Sequence, residues 1–167
     1  MGSPLSKTSP VTSVISGIGV PSISTLNRNA ALAALEVGVH ACTDVTGFGL
    51  LGHLHEMTAG SGLSAQISFS QVPILHEIIE LAAQGVVPGG SKRNLAFAEE
   101  FTTFDAALGS VQRLILADAQ TSGGLLLAVA PERVATLARA LREQAVPVVA
   151  EIGAIDADPS GRIYVAP

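Results

Sequence analysis

Val39-His40-Ala41-Cys42-Thr43-Asp44-Val45-Thr46-Gly47-Phe48-Gly49-Leu50-Leu51-Gly52 decides how the chain reads. Val39 to Val45 is short and partly β-branched, and glycines follow it, as suits a strand running into a loop. Phe48 to Ala59 reads as a helix whose opening turn lies in Gly47-Phe48-Gly49-Leu50-Leu51-Gly52, closed by Gly60-Ser61-Gly62. A strand, a glycine-rich turn and a helix in succession point to an α/β or α+β arrangement.

Upstream, Ser24 has the chemistry of an N-cap, with Leu26, Ala30, Ala33, Ala34 and Val37 at helical spacing and Gly38 as the stop. Met1 to Pro21 is rich in Ser, Thr, Gly and Pro and reads as a flexible or cloning-derived leader, although Val11 to Ile15 could pair as a short strand. The folded domain is expected over 22–167.

Downstream, Leu63 to Phe69 alternates like a half-buried strand, and Pro73 opens a helix with Ile74, Leu75, Ile78, Ile79, Leu81 and Ala82 as an apolar stripe up to Gly85. Pro88-Gly89-Gly90 predicts a turn, Asn94 to Leu108 a weak helix, and Leu114 to Leu116 a short buried run. Gly124 to Ala130 predicts a central strand. Pro131 opens the strongest helical pattern, with Val134, Leu137, Ala138, Leu141 and Ala145. Val148 to Ile155 and Arg162 to Val165 predict strands on either side of the turn Asp158-Pro159-Ser160-Gly161. The expected fold is therefore a mixed β-sheet packed with helices, without strict βαβ regularity.

Composition narrows the function. The chain has 167 residues, 48% of them hydrophobic and 14% charged, which excludes disorder over most of its length. A net charge of -5 with only nine Lys and Arg argues against a nucleic-acid binder. One cysteine, Cys42, excludes an internal disulfide and a multi-cysteine zinc site. No apolar run approaches the roughly 20 residues that span a bilayer, and no secretory signal is evident, so a cytoplasmic location is expected.

Two clusters could carry chemistry. In Thr43 to Gly49 a strand end gives way to glycines and a helix start, where backbone approaches a ligand closely and free N–H groups meet an anion. Asp44 is the segment's only carboxylate, and magnesium on a phosphate takes one or two such oxygens. The more ordinary reading is that Asp44 or Thr46 caps the helix while Gly47 and Gly49 shape the turn. The second cluster, Asp118-Ala119-Gln120-Thr121-Ser122-Gly123-Gly124, is either an anion nest or a tight loop feeding a core strand, and it lacks the lysine of a Walker-type loop. His53 and His55 point to nearly opposite sides of a helix and so cannot share a metal ion with Glu56; both read as surface or interface histidines. His40 and His76 have no local partners in sequence. Cys42 reads as a small buried hydrophobe, and Lys92-Arg93 as a solvated pair.

Thr25-Leu26-Asn27-Arg28 and the run from Glu36 to His53 resemble selenophosphate synthase (selenide, water dikinase). Pro88-Gly89-Gly90 with Asn94, and Asp118 to Leu126, resemble it again in the same order over roughly residues 22–167. Aminoimidazole ribonucleotide synthetase and its relatives share the glycine-rich turn but not the whole string. The resemblance implies an AIR synthase-like C-terminal domain of an enzyme converting ATP, selenide and water to selenophosphate, AMP and phosphate with Mg²⁺. It implies Asp44 as a metal-binding aspartate, with Thr46, Gly47, Gly49, Thr121, Ser122 and Gly123 beside the nucleotide.

The resemblance also implies homodimers and an N-terminal catalytic domain that holds the nucleophilic cysteine or selenocysteine, its lysine and the other metal-binding aspartates. Nothing in this sequence matches that domain, and Cys42 falls in the wrong place to replace its nucleophile. Ala119 stands where the family usually has proline. The expectation is a domain that holds Mg–ATP weakly or not at all alone and is inactive without its partner.

Overall fold

The computed structural model describes residues 12–17 and 27–167. Among these, seven strands form one mixed sheet: β1 (Thr12–Gly17), β2 (Ala41–Asp44), β3 (Ser64–Ser68), β4 (Thr102–Phe104), β5 (Leu125–Val129), β6 (Ala150–Asp156) and β7 (Ile163–Ala166). Their order across the sheet is β2-β5-β1-β6-β3-β7-β4. Pairing is antiparallel from β2 through β3 and parallel at β3–β7 and β7–β4. The helices are α1 (Arg28–Val37), α2 (Gly49–Ala59), α3 (His76–Ala83), α4 (Gly89–Ala98), α5 (Ser110–Leu116) and α6 (Val134–Glu143).

β5 shows why the sheet carries helices on both sides. Its sequence Leu-Leu-Leu-Ala-Val is buried at every position, because alternate side chains enter two separate cores. Leu125, Leu127 and Val129 pack with Ala30, Ala33 and Ala34 of α1 and with Leu137, Ala140 and Leu141 of α6. Leu126 and Ala128 join the larger core, built from Leu50, Leu51 and Leu54 of α2 with Ile67, Ile152, Ile155, Ile163 and Val165 of the sheet. Each fully buried Leu or Ile contributes about 1.5–3 kcal/mol relative to leaving it exposed. The alanines of α1 let it approach β5 closely without bulky side chains.

The central strand, the mixed sheet and the helices at α1, α2 and α6 agree with the sequence reading. Other details differ. Thr12–Gly17, inside the stretch read as a leader, forms a strand that pairs with both β5 and β6. Ser24 lies outside the described residues. Pro88-Gly89-Gly90 is not a turn between elements: Gly89 and Gly90 begin α4, which ends by Ala98 and leaves Thr102–Phe104 as a parallel edge strand. Leu114 to Leu116 is the last turn of α5, with only Leu116 fully buried. The strands expected on either side of the Asp158 turn are β6 and β7, and β3 lies between them in the sheet.

Candidate functional site

Among the described residues β2 is an edge strand paired only with β5, and it ends at Asp44 beside Leu125. Asp44 is exposed, and among the described residues its carboxylate accepts no hydrogen bond. The chain then crosses Val45, buried in the larger core, to Thr46, Gly47 and Phe48 before α2 starts. Among the described residues no side chain caps α2. Thr46 Oγ1 instead meets His53 Nε2 at 3.1 Å, and His53 Nδ1 meets Glu56 Oε2 at 3.1 Å. The capping reading of Asp44 and Thr46 is therefore not realised.

The two polar clusters, far apart in sequence, lie against each other. Val45 N–H donates to Gly124 O at 3.0 Å and Gln120 N–H donates to Thr46 O at 2.9 Å. Gly49 has a φ of 69°, and a Cβ on it would lie 2.6 Å from the Ala117 carbonyl carbon. A side chain on Gly123 would collide with the Val45 carbonyl. These two glycines are thus explained by close backbone approach. Gly47 is different: it is exposed, and among the described residues nothing lies within 4 Å of the place where its Cβ would stand. Thr121 and Ser122 are exposed in the loop before β5, and Gly123 is half-buried.

α4 fastens the arrangement from outside. Asn94 donates its side-chain amide to Gly47 O at 2.8 Å and to Ala117 O at 3.1 Å, one carbonyl from each loop. Buried Ser91 donates to the Asp118 carboxylate, and Asn27 donates to Gly123 O at 3.0 Å. These ties were not predicted from sequence. Their signal was present in the polar residues at Pro88 to Asn94, which no helical apolar pattern explains.

The histidines also differ from their sequence reading. His53 is 7% exposed, with Phe48 tilted over it at 5.7 Å between ring centroids. Gly52 makes room for this, since a Cβ there would meet Phe48 Cβ at 2.6 Å. His55 is half-buried, stacked on Phe101 at 3.7 Å and bonded to Gly161 O. Cys42 is exposed on the edge strand rather than buried, two residues from Asp44. Partial desolvation, and secondarily the Asp44 charge, push its thiol pKa up. That makes it a poor nucleophile. Lys92 and Arg93 are exposed. Among the described residues no three His, Cys, Asp or Glu side chains converge on a metal site, so Asp44 offers one carboxylate ligand.

Behind the loops, an apolar cleft of about 130 Å³ runs between Val45, Leu50, Ile74, Ile78, Ile115 and Gly123. The adjoining α3 region exposes Leu75, Ile79, Leu81 and Val86.

A fold of this order, with its glycine loop at the end of an edge strand, defines a domain class that comparison identifies. Residues 20–166 match the family described as AIR synthase related protein, C-terminal domain, and the chain belongs to that family. Among curated relatives, it is similar to selenide, water dikinase of Pelobacter propionicus, 43% identical over 146 residues, 87% of this chain and 42% of the relative. The enzyme of that description from Pseudomonas aeruginosa is 50% identical over 117 residues, 70% of this chain and 33% of the relative. The chain thus spans less than half the length of these relatives. Among solved structures, the HypE–HypF complex superimposes with a TM-score of 0.67 at 12% identity, covering 95% of this chain and 50% of that one. HypE in complex with ATP gives 0.58 at 18% identity, covering 93% and 47%. At these identities the likeness is one of fold. Among the described residues no helix is long and apolar enough to cross a membrane.

Proposed function

We propose that this chain is the C-terminal domain of an ATP-dependent selenophosphate synthase, supplying one magnesium ligand to a site completed by an N-terminal catalytic domain. The observation that carries the reading is Asp44: an exposed carboxylate with no partner among the described residues, beside Gly47, whose missing side chain no packing explains. One carboxylate leaves Mg²⁺ mostly hydrated, so Mg–ATP affinity is weak or absent in this chain alone. When bound, the cation would neutralise phosphate charge. Thr46, Gly47, Gly49, Thr121, Ser122 and Gly123 would border the nucleotide. The setting is cytoplasmic, and the complete enzyme is a homodimer.

The exposed apolar residues of the α3 region favour docking of a further domain over an autonomous nucleotide-binding or dimerisation module, for which a polar surface is expected. The test joins this chain to the N-terminal segment of the Pelobacter propionicus relative and measures selenide-dependent AMP. Activity that requires both parts and is lost in Asp44→Ala supports the reading. Mg–ATP binding by the isolated chain, abolished by Asp44→Ala, would favour the autonomous module.

A further inference from the structure

Thr46, His53 and Glu56 form a chain of hydroxyl, imidazole and carboxylate with both links at 3.1 Å. The outer end sets the inner one. A carboxylate has only acceptors to offer, so the ring nitrogen facing Glu56 carries the hydrogen. In the neutral ring that leaves Nε2 bare, and the Thr46 hydroxyl must donate to it. Its proton is then committed, and among the described residues no donor reaches its remaining lone pairs, in the loop two residues after Asp44. Burial of His53, the tilted Phe48 ring over it and the Gly52 gap that admits that ring hold the imidazole in place. A hydroxyl fixed this way suits a cation or its bound water, whereas a phosphate oxygen needs a donor.

We propose that His53, held by Glu56, is a positioning residue that presents the Thr46 hydroxyl as an acceptor, giving the Asp44 site a second oxygen for a hydrated divalent cation. This rests on the magnesium role assigned to Asp44 above.

The test begins with this chain labelled with ¹⁵N in histidine, read under alkaline conditions where imidazole is neutral. The His53 ring is expected to show a protonated Nδ1 and a bare Nε2. Glu56→Ala should raise the opposite tautomer about tenfold, the equivalent of one charge-assisted hydrogen bond. A wild-type ring protonated at Nε2, or a ratio indifferent to Glu56→Ala, overturns the inference.

The joined protein then separates positioning from packing. His53→Gln, whose amide oxygen can accept the same hydrogen, should keep the wild-type KM for Mg²⁺. His53→Leu should raise that KM about tenfold, with kcat less affected, if one hydrogen-bonded orientation is lost. A His53→Leu variant that loses thermal stability but keeps the wild-type KM also overturns the proposal. If the joined wild type makes no AMP, the selenophosphate reading fails, and the tautomer ratio still decides this one.

Discussion

Gly123 lies so close to Val45 that a Cβ on it would run into the Val45 carbonyl oxygen, so the loop before β5 meets the end of β2 main chain against main chain. Gly123→Ala must move one loop off the other. We expect a loss of about 1–3 kcal/mol, the usual cost of overpacking a tight contact, measured by urea denaturation. Gly47→Ala should change stability by less than about 0.5 kcal/mol, as for other open surface positions. In the joined protein it should still weaken Mg–ATP use, since Gly47 is small for a reason other than packing. Equal destabilisation by both substitutions would contradict this division.

Asn94 supplies donors to two backbone carbonyls, one in each loop. Asn94→Asp keeps the shape and replaces those donors with acceptors. A loss of about 1–3 kcal/mol is expected, because both carbonyls lose their partner. Asn94→Ala should cost less than Asn94→Asp, since it adds no repulsion. Thermal denaturation of both variants at neutral pH settles the order.

The Cys42 thiol is held up by desolvation first and by the Asp44 charge second. At mildly alkaline pH a smaller fraction of it is thiolate than in an unhindered cysteine, so iodoacetamide should react more slowly than with a model peptide. Asp44→Asn removes the smaller cause and should speed the reaction only in part. A rate equal to the peptide's would show that the edge strand does not desolvate Cys42.

Asp158 has its pKa lowered by the Ser160 backbone N–H first and the Ser160 hydroxyl next. A depressed carboxylate stabilises the fold above its unfolded pKa, about 3.9 for Asp, and that contribution is lost as pH falls through the lower folded value. The turn before β7 should therefore loosen only below about pH 4, as the unfolded value of Asp requires. Amide exchange at Ser160 and Gly161 should follow that acid limb in the wild type and lose it in Asp158→Asn.

The parts of the fold legible in the sequence were those with one dominant pattern. Gly124 to Ala130 could hardly be anything but a strand covered on both faces, and the Val134, Leu137, Leu141 spacing gave α6. Residues Pro88 to Leu108 failed because α4 spends its polar side chains on the loops, while the buried apolar residues of the stretch, Ala98, Phe101 and Leu108, follow no single helical period. Ser91 and Asn94 face Asp118, Gly47 and Ala117, so the helix they sit on carries little apolar periodicity. β1 was obscured by a composition of Ser, Gly and Thr that suits an unstructured segment equally well. Asp44 and the two glycine loops were found as separate pieces. Their union depends on β2 and β5 being neighbours, which no local pattern encodes. His53 was misread because its partner Thr46 lies before the helix, outside the i, i+4 logic applied to it.

The position of β1 carries a consequence for how the protein is made. Its two neighbours, β5 and β6, are synthesised more than a hundred residues later, since Gly17 pairs with Leu125 and Thr12 with Ile155. At translation rates of about 5–20 residues per second, β1 waits on the order of ten seconds before either neighbour leaves the ribosome. Until then the sheet cannot join β2 to β3, and the apolar faces destined for β5 stand open. Birth order and sheet order are thus opposed, and the nascent chain is most exposed to mispairing or chaperone capture just before its last third emerges.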